Sequence, residues 1–551
     1  MKSWSWIGLA LTACGLAVAV SCRKPPRPPP PPAGAACGEA PGDEVPVPGG
    51  EVVVHLETEP AHLNNLIQPE GWRYRVTLHI HEPLVREDPG TGAYVPGLAE
   101  RWEVSNDKLT YTFHLRAGVR WHDGQPFSSR DAAFTFDKIF GEAPALRGGF
   151  EPFGCRHEAP DERTFRLVCK KPYFMMLANL DGLPILPAHA MGDGDLNKHP
   201  LKRRPLGTGP YKFDHWTPGS EIVLARNDDY WGKKAYLDRI VYLYVENPVT
   251  AVQLAAKGEL DFVSRVREPQ WVGMVKTDPK IRANFREIVD WPNQYSYLSF
   301  NCGGAMFSDA RVRRAMAHLF DADRILKDLM YGMGKRIATV YHEKSPGFHD
   351  GLLPYPFDPD RAKQLFDETG WKDTDGDGVR DKDGKPFRFT FLMSVGSATL
   401  EKQITVYQED LRKAGIRMDV TKIEFAQFLD RAGKHDFDML GLGNTEYSPR
   451  MDPYFNYHSS QIEGGQNWSG YANPDMDALL DTMRVELDEQ KRAEIDRRIQ
   501  ELAYEDLPYV PAFTQPVPAI VHKRFCGVKT SVEWYQLNQW WIPKRLQGQA
   551  H

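Results

Sequence analysis

Two hydrophobic periodicities alternate along most of the 551-residue chain. Apolar residues at every second position, or in short unbroken runs, predict strands, whereas apolar residues three and four positions apart predict helices. After Asn473-Pro474, for example, Leu480, Met483 and Leu487 share one helical face. The alternation predicts a mixed α/β fold without a repeat of fixed period. The clearest strand-like runs are residues 51–56, 111–115 and 240–244.

Length and composition narrow the class of protein. Single hydrophobic cores stop growing well below this length, so more than one lobe is expected. Charged residues make up 26% and hydrophobic residues 41%, which is ordinary for a soluble globular protein. The formal net charge is −6, and both signs are scattered without any block of Lys and Arg. This pattern argues against nucleic acid as a partner.

The first 22 residues predict an export signal. Lys2 gives a positive start, an apolar run covers residues 4–20, and Arg23-Lys24 end it, as in a secretory signal peptide. Two cysteines resemble the lipidated residue of bacterial lipoproteins. We expect Cys22 to carry the lipid, because the positive pair marks the end of the apolar segment, with Cys14 as the alternative. Cleavage without a lipid, or an uncleaved anchor, would also place the folded part outside the cytoplasm.

A proline-rich stretch follows at residues 23–49. Such a stretch cannot form a helix or a strand ladder, and it favours an extended polyproline II spacer. At about 3.1 Å per residue the spacer would reach on the order of 80 Å. We therefore predict a disordered tether that lets the body move beside a membrane.

The cysteines indicate an oxidising compartment. Cys155 and Cys169 flank a turn-like stretch around residue 162, so folding the segment there places them opposite each other and predicts a disulfide. Cys302 and Cys526 are candidates for a second bridge, although sequence alone does not set this connectivity. That pairing leaves Cys37 unpaired on the tether.

Several long motifs follow one another in the body of the chain. The run LAERWEV (98–104), LTYTFHLR (109–116) and WHDGQPF (121–127) leads into a helix that Ser128 caps, with Asp131 at its third position. Further motifs are GTGPYKF (207–213), RNDDYWG (226–232), AKGELD (256–261), DARVRRA (309–315) and NPDMDALL (473–480). In this order they resemble the family 5 extracellular solute-binding proteins, which include the dipeptide- and oligopeptide-binding proteins. The resemblance runs from about residue 50 to the C-terminus.

The resemblance implies a two-lobed periplasmic-binding-protein fold, the Venus-flytrap fold of type II, with an extra inserted subdomain. The chain of such a protein crosses the hinge more than once. By this resemblance, lobe I takes residues 50–85, 205–295 and 516–551, the inserted subdomain takes residues 86–204, and lobe II takes residues 296–515.

The resemblance also suggests where a ligand would bind. In peptide-binding members, a W-x-x-D segment of lobe II carries an Asp that pairs with the free amine of the ligand. In the corresponding stretch here, Asn444 stands where the Trp would be and Tyr447 falls on the Asp position. This departure puts recognition of a peptide amine in doubt. Either Glu446 or Asp452 would supply a carboxylate instead, unless both are ordinary surface acids.

Three weaker candidates complete the predicted binding site. Trp468 would wall the cleft, although burial of Trp in a core is the commoner outcome. Glu57 and Thr58 follow the first strand, whose end the family resemblance places near the cleft. Loops after strand ends commonly hold ligands in open α/β sheets.

A metal site is a separate candidate. Asp373, Asp375, Asp377 and Asp381 occupy positions 1, 3, 5 and 9 of a calcium-loop pattern, with glycine at position 6. The closing Glu at position 12 is missing, since Gly384 stands there. Asp-Gly pairs also form tight turns between a helix and a strand. A calcium ion here would be structural, and no other cofactor is expected.

No catalytic motif stands out, so we expect a binding protein rather than an enzyme. The predicted function is reversible capture of di- or oligopeptides, as the binding component of an ABC import system. Its partners would be a permease and ATPase complex, and the membrane through the lipid anchor; we expect a monomer. Alternatives are the same clamp for a sugar, nickel chelate or other small solute, a ligand-binding sensor without transport, and a secreted hydrolase.

Overall fold

The computed structural model describes residues 36–39, 45–67, 71–88, 92–396, 398–446, 450–529 and 536–547, without the side chains of residues 144, 145, 445 and 446. Helices and strands alternate, as the hydrophobic pattern predicts. The strands are β1 (Glu51–Leu56), β2 (Val85–Glu87), β3 (Tyr94–Pro96), β4 (Ala99–Val104), β5 (Thr110–Leu115), β6 (Arg156–Asp161), β7 (Thr164–Val168), β8 (Tyr211–Thr217), β9 (Glu221–Arg226), β10 (Arg239–Tyr244), β11 (Phe262–Val263), β12 (Phe285–Asp290), β13 (Asn293–Phe300), β14 (Lys335–Arg336), β15 (Asp381–Lys382), β16 (Lys385–Pro386), β17 (Arg388–Ser394), β18 (Arg417–Ile423), β19 (Met439–Glu446), β20 (Tyr509–Thr514) and β21 (Val517–His522). The helices are α1 (Gly71–Thr77), α2 (Ser129–Glu142), α3 (Pro144–Arg147), α4 (Met176–Leu180), α5 (Ala188–Met191), α6 (Pro248–Ala256), α7 (Glu268–Gln270), α8 (Pro279–Asn284), α9 (Ala310–His318), α10 (Ala322–Asp328), α11 (Pro359–Glu368), α12 (Ala398–Lys413), α13 (Phe425–Gly433), α14 (Tyr454–Tyr457), α15 (Pro474–Val485) and α16 (Glu489–Asp506).

Lobe I is built on a mixed sheet with the strand order β12-β21-β11-β1-β10-β9-β8. Its strand β1 runs parallel to both β10 and β11. Val52 and Val54 pack in a hydrophobic cluster on one side, whereas Val53 packs in a second cluster on the other. Because both faces of this sheet are covered, β1 carries three consecutive valines at residues 52–54 instead of alternating apolar and polar residues.

Lobe II is built on a separate sheet with the order β14-β20-β13-β19-β17-β18. Its own hydrophobic cluster joins strand residues such as Phe391 and Met439 to helical residues such as Met316 and Tyr407. Each lobe therefore has a core of its own, as the predicted two-lobed α/β architecture requires.

The described chain passes between the two sheets through two short crossings. Residues 291–292 join β12 to β13, and residues 515–516 join β20 to β21. Each crossing contains a proline, Pro292 or Pro516, which lacks the N–H that would extend a ladder. The amide of Gln294 donates a hydrogen bond to the carbonyl of Gln515 (2.9 Å), so the crossings lie side by side.

The inserted subdomain has a sheet with the order β4-β5-β7-β6, against which α2 packs. The rings of Phe136 in α2 and Phe165 in β7 lie 5.1 Å apart between centroids. The backbone N–H of Ser128 donates to the carboxylate of Asp131 (2.9 Å) at the start of α2. Cys155 and Cys169 form a disulfide at the ends of the β6–β7 hairpin.

The positions of the strands can be compared with the lobe boundaries expected from the resemblance, which stay a prediction. Strands of the lobe I sheet lie within residues 50–85, 205–295 and 516–551, and the subdomain sheet lies within residues 86–204. The start of lobe II differs, because β13 begins at Asn293 rather than after residue 295. The chain leaves the lobe I sheet at the Trp291-Pro292 crossing, and none of the sequence motifs lies there.

The buried carboxylate of Glu82 lies in lobe I, directly before the subdomain begins. Thr208 (2.9 Å), Tyr230 (2.7 Å) and Trp231 (2.8 Å) donate hydrogen bonds to it from side-chain groups. Arg86 adds an ion pair at 2.8 Å. Thr208 belongs to the GTGPY motif, and Tyr230 and Trp231 belong to the DYWG motif. Two of the sequence motifs therefore supply hydrogen-bond donors to a single buried anion.

The predicted tether and one predicted disulfide are wrong in part. Cys37 forms a disulfide with Cys526, and its backbone N–H donates to the carbonyl of Lys523 (2.9 Å). Residues from 36 on that the structure describes are therefore fixed to lobe I instead of belonging to a free tether. Cys302 is a free thiol. The sequence pairing failed because it took Cys37 to be remote from the folded body.

The predicted signal peptide, with Cys14 and Cys22, lies outside the described residues. Among the helices that are described, none combines the length and the apolarity needed to cross a bilayer.

A disulfide map tests the correction. We expect digestion of the mature protein without reductant to yield peptides that link Cys37 to Cys526 and Cys155 to Cys169. Cys302 alone of these five should react with a thiol reagent after denaturation. Recovery of a Cys302–Cys526 peptide by mass spectrometry would restore the original pairing.

The role of Glu82 is tested by Glu82→Gln. The amide keeps the shape of the side chain but turns an NH₂ group toward two of the four donors, which should lower the free energy of unfolding by about 2–4 kcal/mol. Glu100, which is exposed and 3.4 Å from Arg163, is a matched control, and its Gln variant should change stability by less than about 1 kcal/mol. Urea titration followed by Trp fluorescence measures both. Equal midpoints for Glu82→Gln and wild type would remove Glu82 from this role.

Candidate ligand-binding cleft

The two crossings leave the lobe I sheet at the same end of its strands. We call this end of the strands the lobe I edge; it faces lobe II. β12 ends and β21 begins at this edge, with Asp290 paired to Val517. β11 runs antiparallel to β21 and parallel to β1, so β1 and β11 both end there. The residues that follow these two strands, Glu57 and Ser264, are therefore brought to the cleft. This is the arrangement that the strand-end argument predicts for Glu57.

Positive charge is concentrated at this edge. Arg267 forms an ion pair with the predicted site residue Glu57. Arg75 donates to the hydroxyl of Ser264 (2.7 Å) and lies over the ring of Trp72 at 4.7 Å. Arg265 makes no hydrogen bond or ion pair with any residue in the described ranges. Burial, reinforced by neighbouring Arg267, lowers the pKa of Arg265 to about 10. Glu57 thus faces both Arg267 and Arg265, whereas Arg75 is held by Ser264.

The strand-end argument also predicts a position near the cleft for two of these arginines. Arg265 and Arg267 directly follow β11, just as Glu57 directly follows β1, so the same strand-end argument applies to both loops. Arg75 lies in α1 and reaches Ser264 only through the fold. Thr58, the other residue predicted at the end of β1, is exposed and has no side-chain hydrogen bond within the described part of the chain.

On the lobe II side, β19 delivers the stretch that resembles the W-x-x-D segment. β19 pairs antiparallel with β13, and its last residue, Glu446, is opposite Asn293, next to the first crossing. The amide of Asn444 donates to the hydroxyl of Tyr295 (3.2 Å). The side chain of Glu446 and all of Tyr447 lie outside the described residues. Asn444 therefore stands near the hinge, with its side chain engaged by lobe II.

The structure corrects the prediction for Asp452. Its carboxylate forms an ion pair with Arg484 (2.9 Å) and accepts a hydrogen bond from the hydroxyl of Tyr173 (2.7 Å). The side chains of Asp452 and Arg484 are 6% and 7% exposed. Burial raises the pKa of Asp452, while Arg484 opposes this rise. Its partners are distant in sequence, so Asp452 resembled a free carboxylate until the fold was known.

The same ion pair connects lobe II to the subdomain. The Arg484 guanidinium lies 4.0 Å from the ring centroid of Tyr454 and 4.8 Å from that of Phe153 in the subdomain. The backbone N–H of Phe174 donates to the carbonyl of Arg484 (3.1 Å). Asp452 therefore serves a contact between structural units: Arg484 and Tyr173 bond its Oδ2, and its Oδ1 accepts a hydrogen bond from the backbone N–H of Tyr454 (3.2 Å).

Trp468 belongs to the core of lobe II more than to a cleft wall. It is partly buried against a cluster that contains Leu392, Phe428 and Leu440. Its carbonyl accepts a hydrogen bond from the ring of His435 (2.9 Å). Trp468 keeps part of its surface exposed, so a contact between Trp468 and a ligand stays a prediction.

Two cavities that the sequence did not indicate lie beside the cleft elements. One, of about 140 Å³, lies at the first crossing between Trp291, Lys335 and Thr514. The other, of about 110 Å³, lies where lobe I meets the subdomain and is lined by α1, β2 and the loop after α4. In the second cavity, Asp181 accepts a hydrogen bond from the backbone N–H of Glu87 (3.1 Å). Burial raises the pKa of Asp181 to about 6.

In the candidate calcium loop, three of the four predicted acids lie close together. Asp373, Asp375 and Asp377 each offer an oxygen within 4.8 Å of the others, and all three are exposed. The carboxylate of Asp381 instead accepts hydrogen bonds from the backbone N–H (2.9 Å) and hydroxyl (2.7 Å) of Thr374. Calcium binding stays a prediction.

Comparisons with known proteins agree on the fold and the family. The family model described as Bacterial extracellular solute-binding proteins, family 5 Middle, matches residues 93–466. The oligopeptide-binding protein AppA of Bacillus subtilis is 29% identical over 518 residues, which cover 91% of this chain and 93% of AppA.

Solved structures show the same two-lobed architecture. The structure of Bacillus subtilis AppA in complex with a nonapeptide has a TM-score of 0.77 at 26% identity, covering 91% of this chain and 100% of AppA. AgaA from A. tumefaciens R10, in complex with agropinic acid, has a TM-score of 0.73 at 25% identity, covering 91% of this chain and 98% of AgaA. The predicted fold is confirmed.

The structural role of Asp452 is tested by Asp452→Asn. Loss of the anion leaves Arg484 buried without its counter-charge, which should lower the free energy of unfolding by about 3–5 kcal/mol. Asp360 is 92% exposed, so Asp360→Asn is a matched control with an expected change below about 0.5 kcal/mol. Urea titration measures both variants. An Asp452→Asn protein as stable as wild type, but with weakened ligand binding, would return Asp452 to the binding site.

Proposed function

Because this chain belongs to the bacterial extracellular solute-binding proteins of family 5, we propose that it captures peptides between its lobes and delivers them to an ABC permease. The observation that carries the proposal is the pair of two-residue crossings between lobes that have separate cores. Short connections of this kind permit hinge rotation while each lobe stays rigid. A ligand that contacts both lobes favours the closed arrangement through the contacts it adds.

The chemistry of the lobe I edge supports a ligand that carries a carboxylate. Arg75, Arg265 and Arg267 outnumber the acids Glu57 and Glu268 at this edge, and Arg265 has no ion-pair partner among the residues described. Guanidinium groups pair strongly with carboxylates when water is excluded. Every peptide with a free C-terminus offers such a group. The name of AppA and the nonapeptide in its structure agree with this class of ligand.

A non-peptide solute is the second candidate. Asn444 and Tyr447 replace the residues expected for amine recognition, and Asp452 is already paired. The structure of AgaA holds agropinic acid on the same fold, so the architecture is not restricted to peptides. A sugar, a nickel chelate or another small solute would use the same clamp, as would a sensor that does not transport.

The cellular setting of the proposal is an exported, monomeric protein on a membrane tether. A lipid on Cys22, or on Cys14, would anchor it, and the Cys37–Cys526 disulfide leaves residues 23–35 instead of 23–49 as the tether. The permease and its ATPase are the expected partners, and the ligand leaves chemically unchanged. Calcium at Asp373, Asp375 and Asp377 would be structural.

Native mass spectrometry of the protein from residue 23, purified without denaturation, tests the proposal. We expect a heterogeneous set of co-purified short peptides. After their removal, adding a peptide mixture should lower the radius of gyration measured by X-ray scattering, because the lobes close.

Other outcomes of these measurements contradict peptide capture. A single non-peptide mass would favour the second candidate. Scattering curves that do not change with any ligand would contradict hinge closure, and cleaved peptides would contradict pure binding.

A further inference from the structure

The cavity of about 110 Å³ between lobe I and the subdomain has polar walls from separate parts of the chain. Asn65 precedes α1, Tyr74 lies in α1, His81 and Glu87 lie before and in β2, and Asp181 follows α4. A cavity needs only about 10–15 Å³ to hold one water molecule, so this one has room for a small polar group.

Two buried side chains in the wall lack hydrogen-bond partners for specific atoms. Asn65 is 9% exposed; its amide donates to the hydroxyl of Thr77 (2.7 Å), but its Oδ1 accepts no hydrogen bond within the described residues. His81 is 8% exposed, and its Nδ1 likewise has no partner in the described part of the chain. Burial lowers the pKa of His81 to about 3, so the ring is neutral and one of its nitrogens is an acceptor. Native proteins rarely leave such atoms unpaired, so Asn65 Oδ1, which is an acceptor, and His81 Nδ1 leave unmet hydrogen-bonding capacity at this wall.

The charges around the cavity favour a cation. Glu87 and Asp181 line it, and Glu82 lies behind Arg86. Against these three carboxylates stand two guanidinium groups, Arg86 on Glu82 (2.8 Å) and Arg450 on Glu87 (3.5 Å). Asp181 faces Arg86, which is already paired with Glu82, and forms no direct ion pair of its own among the residues that the structure describes. A positive charge added next to Asp181 would balance the negative charge of the cavity wall.

The spacing of these groups favours a polyatomic cation over a metal ion. In the described residues, three or more acidic, His or Cys ligand atoms lie within 4.8 Å of one another only at Asp373, Asp375 and Asp377. His81, Glu87 and Asp181 therefore do not converge on one point as metal ligands do. An ammonium group presents three separate donors, which suits acceptors spread around a small cavity.

We propose that this cavity binds a primary ammonium group of the ligand, with Asp181 as its counter-charge. The inference rests on the peptide-capture function proposed above and adds how the amine is recognised. The ammonium group is either the peptide N-terminus or a Lys side chain. In this arrangement a carboxylate from the subdomain side replaces the acid that is missing at Tyr447.

Isothermal titration with three peptides tests the proposal. Trialanine has a free N-terminus, N-acetyl-trialanine has no ammonium group, and N-acetyl-Ala-Lys-Ala has one only on its side chain. We expect the wild-type protein to bind at least one of the two ammonium peptides about 10-fold or more tighter than N-acetyl-trialanine. The peptide that shows this preference identifies the source of the ammonium group.

Asp181→Asn should abolish that preference, because the affinity for the preferred ammonium peptide falls about 10-fold or more, to the level of N-acetyl-trialanine. Glu87→Gln, at the second carboxylate of the wall, should reduce the preference and serves if Asp181→Asn does not fold. Asp229→Asn, which changes an exposed acid of lobe I, is the matched control and should behave as wild type. A preference for ammonium peptides that survives in both cavity variants overturns the proposal.

A separate probe keeps failure of the cavity distinct from failure of peptide capture. If the wild-type protein binds none of the three peptides, the peptide proposal fails, and n-butylammonium then tests the cavity by ligand-observed NMR. Binding of n-butylammonium that disappears in Asp181→Asn supports the site. Absence of binding to the wild-type protein, or equal binding to the variant, contradicts it.

Discussion

The buried carboxylate of Glu82 fixes the geometry on which the ligand-binding side of lobe I depends. It is reached by Thr208, Tyr230, Trp231 and Arg86, which come from three separate segments of the chain. A buried anion is tolerated only when its hydrogen bonds are satisfied, so these segments cannot shift independently. The flanking residues of the same short stretch line the cavity against the subdomain. One electrostatic requirement therefore unites two family motifs and positions a candidate binding wall.

In contrast to this hydrogen-bonded cluster, the two lobes are connected by short segments. Lobe II is linked to lobe I by two crossings of two residues each. It also contacts the subdomain through the Asp452–Tyr173 hydrogen bond, the Arg450–Glu87 ion pair and the guanidinium groups that lie over Phe153 and Phe174. The molecule thus combines two separately packed bodies with short covalent connections, which is the arrangement that hinge closure requires.

The sequence predicts what is local and what ordered motifs carry. Strand β1, the Ser128–Asp131 helix start and the Cys155–Cys169 hairpin are each encoded within a few residues, and the ordered motifs indicate the two-lobed fold. The position of Glu57 followed from the end of a strand. In contrast, Asp452 bonds Tyr173 across 279 residues and Cys37 bonds Cys526 across 489, and no pattern in the sequence records such pairs. The walls of the 110 Å³ cavity likewise come from separate segments, so the predicted ligand site was incomplete.

The departure from the W-x-x-D pattern at Asn444 and Tyr447 has a different meaning once the charges are located in space. A zwitterionic ligand needs one positive and one negative region in its site, and neither must come from the lobe that the family resemblance suggests. Here the guanidinium groups of Arg75, Arg265 and Arg267 lie at the end of β1 and β11, whereas Glu87 and Asp181 lie in the wall beyond α1. Leu78, directly after α1, contributes both to the cavity that holds Asp181 and to the small one beside Arg75. Opposite charges on the two sides of α1 would orient a dipolar ligand, and the loss of an acid from lobe II is then compatible with peptide recognition.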